Sequence, residues 1–161
     1  MREGWDTAQV CENGHDINAY AASMPQYNAP RCSKCGAETI TKCSKCSEII
    51  RGKYHASGVI DVNHYKIPSF CHNCGSPYPW TDKQLSAARE YVRESERLTD
   101  NEKGILERSL DDLVRDTPNT PISVLRYKQL VSKMGAAAAE GLKTILFGLL
   151  TEAAKRQIWP H

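Results

Sequence analysis

RCSKCGAETITKCSKCS, residues 31–47, holds two Cys-x-x-Cys turns with seven residues between them. FCHNCG, residues 70–75, is a third copy of the same turn, and CENGH, residues 11–15, places a Cys and a His with three residues between them. Two residues between cysteines let the backbone curl so that both sulfurs face one ion, and four such donors make a tetrahedral zinc site. A glycine after the second cysteine relieves the turn, because it tolerates positive φ. Gly36 and Gly75 stand there in two copies, and Ser47 stands there in the third. In CENGH the longer gap suits the longer His ligand, and Gly14 permits the sharp turn.

All seven cysteines fall before Trp80, and seven is an odd number that would leave a disulfide framework with one spare thiol. Seven thiolates plus one imidazole instead fill two tetrahedral sets. The expected ligands are Cys11, His15, Cys32 and Cys35 for one Zn2+, and Cys43, Cys46, Cys71 and Cys74 for a second. Sequential pairing closes gaps of 16 and 24 residues. It is favoured because shorter closures cost slightly less chain entropy. A cross-brace, joining the first pair to the third and the second to the fourth, stays open. His55, His64 and His72 are the spare imidazoles should His15 not serve, with His72 ranked last because it sits inside a turn.

Four protein ligands leave zinc no open position for water, so the sites are expected to be staples, each worth on the order of 10 kcal/mol of folding free energy. No H-E-x-x-H, no deaminase-type H-x-E with P-C-x-x-C, no phosphate loop and no nucleophile elbow occurs. Asp111 and Asp112 are adjacent and on a helix would point about 100° apart. The chain is expected not to be an enzyme and to have no small-molecule substrate.

The chain has 161 residues, 40% hydrophobic and only 7% aromatic. That is poor for one large core and suits a small metal-supported domain followed by a helical one. The boundary is placed at Trp80, giving domains over residues 1–80 and 81–161. The expected fold is small and mixed: two tandem zinc ribbons, then an all-α region of about three to four helices. Short β-like runs cover residues 38–41, 47–51 and 59–62. In the second half Thr81 and Gln84 form a capping box, followed by Leu85, Ala88, Tyr91 and Val92 at helical spacing. Thr99 and Glu102 form another, followed by Ile105, Leu106, Leu110 and Leu113. Pro118 ends that helix. Thr120-Pro121 opens a third, with Val124, Leu125, Val131 and Met134 on its apolar side. A fourth helical run is expected over residues 136–157, with Leu142, Ile145, Leu146, Leu149 and Ala153 on one face and Gly135 as a break or bend before it.

The order CENGHDIN, P-x-CSKCG, KCSKC, IRGKYH and FCHNCGSPYPWT, with SLDDLVRDTP at residues 109–118, resembles an uncharacterised bacterial zinc-ribbon family, a domain of unknown function. The resemblance spans nearly the whole chain. It implies two zinc ribbons with a helical tail, and it implies no activity.

Net charge is +2, so no global field demands nucleic acid or an acidic membrane. Residues 31–53 nevertheless carry six basic and two acidic groups. Lys34, Lys42, Lys45, Arg51 and Lys53, with Tyr54, His55 and Tyr65 to stack on bases, make a possible nucleic-acid surface. A protein partner or self-association is the first expectation, because the helical half carries apolar faces and residues 135–141 are rich in Gly and Ala. A membrane surface is a third, through residues 144–150 with Lys155, Arg156 and Trp159 after them. The opening MREGWDTAQV has no apolar run, so a cytoplasmic chain without a secretory leader is expected.

Overall fold

A computed structural model describes residues 3–160. Among them are two small antiparallel sheets and five α-helices, in two compact units that divide between Asp82 and Lys83.

In the first unit β2 (Gln9–Cys11) lies between β3 (Asp16–Asn18) and β4 (Thr39–Ile40). Every residue of β2 is buried. The Gln9 amide is satisfied there, donating to Thr39 Oγ1 at 2.9 Å and accepting from the Ala29 N–H at 2.9 Å. The second sheet pairs β1 (Gly4–Thr7) with β5 (Arg51–His55), with Trp5 opposite Tyr54. Gly52 lets β5 run against residue 19: a Cβ there would lie 2.2 Å from the Ala19 carbonyl oxygen.

The core of this unit is small. Ala8, Val10, Ile50, Tyr78 and Trp80 pack with Cys43 and Cys71. Trp80 stacks on Tyr78 with ring centroids 4.7 Å apart, and its indole N–H donates to the Pro68 carbonyl at 2.9 Å. So few apolar side chains give a marginal core, which is where a bound metal adds most.

Several expectations are corrected here. Residues 59–62 form no strand; Val59, Ile60 and Val62 are 67%, 88% and 86% exposed. The strand expected at 47–51 begins only at Arg51. β1 to β3 went unread because three or four residues are too few to display a period. Helix α1 (Pro79–Arg93) starts two residues before Thr81. Thr81 is fully buried and its hydroxyl donates to the Ser69 carbonyl at 2.7 Å, so it ties the helix to the third turn rather than capping it.

The second unit is helical. After α1 come α2 (Asp100–Leu113), α3 (Thr120–Met134), α4 (Ala136–Leu146) and α5 (Glu152–Ile158). Thr99 and Glu102 make both halves of their capping box. Leu106, Leu110 and Leu113 of α2 are buried, as are Val124, Tyr127, Leu130 and Met134 of α3. Leu125, expected on the apolar side of α3, is 49% exposed. It lies about 100° around the helix from Val124, and Tyr127 and Leu130 occupy the buried stripe instead.

The expected run over 136–157 is two helices, which raises the count beyond four. The Thr151 side chain accepts from the Ala154 N–H at 3.2 Å and starts α5 afresh, while the Thr151 N–H donates to the Leu113 carbonyl. Gly135 is a full break, with φ 92° and ψ 157°. Gly141 meets an internal neighbour: a Cβ there would lie 2.1 Å from the Tyr91 hydroxyl. Leu142, Leu146, Leu149 and Leu150 are buried, and Phe147 is half-exposed. No helix among the described residues is long and apolar enough to cross a membrane.

Candidate metal centres

The three Cys-x-x-Cys turns share one geometry. In each, the N–H after the second cysteine donates to the first cysteine's carbonyl: Gly36 to Cys32, Ser47 to Cys43 and Gly75 to Cys71, at 2.8, 2.9 and 2.9 Å. The first cysteine's own N–H donates across the turn to Ala37, Glu48 or Ser76. Backbone bridges close the base of each turn, Arg31 with Glu38, Lys42 with Ile49 and Phe70 with Pro77. Inside each turn an N–H two residues after the first cysteine points at its sulfur, from Lys34 to Cys32, Lys45 to Cys43 and Asn73 to Cys71, all at 3.4 Å. The residue after each second cysteine has positive φ: 74° at Gly36, 64° at Ser47 and 74° at Gly75.

CENGH does the same work with a different backbone. It lies at the end of β2, where the Cys11 N–H donates to the His15 carbonyl and the Gly14 N–H to the Cys11 carbonyl. The His15 N–H donates to Cys11 Sγ at 3.3 Å. Gly14 has φ 86°, and a Cβ on it would sit 2.9 Å from Trp80 Cβ.

Two clusters result, and the grouping is sequential. Cys11, His15, Cys32 and Cys35 bring their donor atoms within 4.8 Å of one another, as do Cys43, Cys46, Cys71 and Cys74. In the first, Cys11 Sγ lies 3.8 Å from Cys35 Sγ and 3.4 Å from His15 Nδ1, and Cys32 Sγ lies 3.5 Å from the same nitrogen. In the second, Cys43 to Cys74 and Cys46 to Cys71 are each 3.7 Å between sulfurs. These separations are far beyond an S–S bond of about 2.05 Å, and all seven cysteines are free thiols. Each cluster can hold one metal ion. Among the described residues no other histidine joins either: His55 bonds Asp6, and His64 and His72 line a cavity.

The electrostatics repeat between clusters as well. Cys35 and Cys74 are exposed, and both thiols are lowered to about 6. The Ala37 N–H and the Asn13 amide bond Cys35, and the Ser76 side chain and N–H bond Cys74. Burial pushes the Cys11 and Cys43 thiols up. The Cys74 N–H is the main cause holding Cys71 down. Thiolate is the metal-binding form, so each cluster has a surface cysteine already close to ligand form at neutral pH.

Outer partners were not read from the sequence. Asn13 Nδ2 donates to Cys35 Sγ at 3.3 Å, and its place inside CENGH was the available signal. The Tyr78 hydroxyl is buried beside Cys71, and burial and the charge of Cys71 raise its pKa. A buried donor beside a ligand sulfur fits the outer shell of a metal–thiolate centre.

The basic residues of the expected nucleic-acid surface separate into two sets. Arg51, Lys53 and Tyr54 line one cavity of about 490 Å³. Lys34, Lys42 and Lys45 are exposed on the turns, outside it. A buried network also went unread: Asp6 accepts from Ser23 Oγ, pairs with His55 Nε2 at 2.9 Å, and accepts from the Thr7 and Ala22 N–H groups.

No curated protein and no solved structure matches the chain. A family model does, over residues 4–158, and the chain belongs to that family, described as an uncharacterized protein conserved in bacteria (DUF2321).

Proposed function

We propose that this protein is a non-catalytic recognition module whose two clusters hold structural zinc in ribbon-like knuckles. The observation that carries the reading is the size and closure of the clusters. Zinc bound by sulfur near 2.3 Å sets S···S edges of about 3.8 Å, and about 3.5 Å from sulfur to an imidazole nitrogen. The clusters have 3.7–3.8 Å and 3.4–3.5 Å. Four protein donors leave the ion no open position, which supports a staple rather than a catalyst.

What such a module does is bind, and its exposed features support a partner. Val59, Ile60 and Val62 project from one loop, an apolar display that folding of this unit leaves uncovered. A protein partner seated there is the first reading. Native mass spectrometry tests the metal: two zinc ions per chain are expected, and a folded chain without metal overturns the reading. Affinity purification from the native cell tests the partner. The full chain is expected to retain proteins that Ile60→Asp and Val62→Asp variants lose.

Nucleic-acid binding is a second reading, favoured by one observation. Of the basic stretch, Arg51 and Lys53 meet the aromatic rings of Trp5, Tyr54 and Tyr65 around a single cavity.

A further inference from the structure

We propose that the cavity beside β5 is a base-binding site for single-stranded nucleic acid, which makes the second reading above specific and rests on it. Trp5 and Tyr54 are opposite one another across the β1–β5 pair, so their side chains leave the same face of the sheet. Their rings meet edge to face at 5.1 Å and 76°, and they stay 51% and 48% exposed. Two large rings left half in solvent on one face of the β1–β5 pair are a stacking platform. A base stacks on either without regard to its identity, since every base has a π-face.

The surroundings match the rest of a nucleotide. Arg51 places its guanidinium 5.2 Å from the Trp5 ring centroid. Lys53 and Lys66 also border the cavity, and Asp61 is the one carboxylate in its lining, held by Lys53 at 3.2 Å. With Lys53 committed to Asp61 and the Asn63 carbonyl, Arg51 and Lys66 carry the positive charge that suits the phosphates on either side of an inserted base. Tyr65 fixes the far wall, its hydroxyl donating to the Arg51 carbonyl at 2.5 Å. A volume of about 490 Å³ lies in the range of small-ligand clefts and accommodates a base with its sugar. The cations alone would attract an acidic peptide as well; the two half-exposed rings, which a peptide's carboxylates do not use, favour a nucleotide base.

The test uses the zinc-loaded full chain and a fluorescein-labelled oligo-dT of about 15 nucleotides, read by anisotropy at about 50 mM salt. Binding is expected, with quenching of Trp5 emission and steep weakening at higher salt. Trp5→Ala and Tyr54→Ala are each expected to weaken binding about ten-fold or more, and Arg51→Gln to flatten the salt dependence. Melting curves and the zinc count of each variant are taken alongside; Trp5→Phe, which keeps a ring, is expected to recover most of the affinity. Oligo-dT binding that ignores Trp5 and Tyr54 overturns the pocket and leaves nucleic-acid binding elsewhere standing. No binding at low salt overturns both. A duplex or a mononucleotide that competes as well as oligo-dT overturns the single-stranded assignment.

Discussion

Ser47 holds the same left-handed backbone as Gly36, with φ 64° against 74°. It is the one residue other than glycine with positive φ among the described residues. The turn around Cys43 and Cys46 needs that conformation because its geometry copies the other two turns hydrogen bond for hydrogen bond. For an L residue with a Cβ it costs about 1–2 kcal/mol. The loss of backbone freedom by glycine offsets part of this. Ser47→Gly is therefore expected to stabilise the metal-loaded protein by about 1 kcal/mol, read as a raised urea midpoint at unchanged slope. A lowered midpoint would mean that the serine side chain contributes something its backbone strain conceals.

Gly36 and Gly14 separate strain from crowding. Both have positive φ, but a Cβ on Gly36 meets nothing within 4 Å, whereas one on Gly14 lies 2.9 Å from Trp80 Cβ. Gly36→Ala is expected to cost about 1 kcal/mol from backbone alone. Gly14→Ala adds a displaced core tryptophan, so a cost of about 3 kcal/mol or more is expected, with altered Trp80 emission. Equal costs in urea melts would remove the claim that CENGH is packed against Trp80.

The two Cys/His clusters were legible in the sequence and most of the scaffold was not, for one physical reason. A Cys-x-x-Cys turn is a local object: its spacing alone brings two sulfurs together, and Gly36 or Gly75 marks the turn. Thr99 and Glu102 are local too, and their box stands as read. Thr81 carries the same signature, yet its hydroxyl serves Ser69, twelve residues back, and only the fold reveals that partner. The pairing of β1 with β5 joins residues about 50 apart through strands of four and five residues, too short to advertise themselves. The run after Ala136 kept helical spacing across residues 147–151, so the restart at Thr151 was hidden in an unbroken apolar pattern.

Asp6 supplies a pH prediction. Burial raises its carboxyl, but hydrogen bonds from Ser23, His55 and the Ala22 and Thr7 N–H groups outweigh that and hold it below the usual carboxylate range. A folded value below the unfolded one, about 3.9, gives stability that is fully present above about pH 4 and is lost as pH falls through the folded value. Asp6→Asn is expected to cost about 1–3 kcal/mol at pH 7, from bonds to a buried group. The gap to the parent chain should not shrink down to pH 5, because the titration window lies lower. Melts at pH 7 and pH 5 check this, and a gap that closes between them would place the ionisation elsewhere.

Metal removal discriminates between the two units. Among the described residues the core of the first unit has five buried apolar side chains around Cys43 and Cys71, with Ile40, Tyr65 and Ile67 packed against them, so an ion held at that cluster would adjoin most of the packing there is. The second unit buries leucines from α2, α3 and α4 and has no cysteine. Structural zinc contributes on the order of 10 kcal/mol, about the whole stability of a small domain. A strong chelator is therefore expected to release Trp80, 3% exposed in the fold, into water, and to red-shift its emission in a Trp5→Phe, Trp159→Phe background. The far-UV signal of the helices should largely remain. Returning Zn2+ should restore the buried emission, and Mg2+, which prefers oxygen ligands, should not. Trp80 emission that stays buried in the metal-free chain would show that the apolar contacts of Tyr78, Trp80 and Ile50 suffice without an ion, and the staple reading would fall.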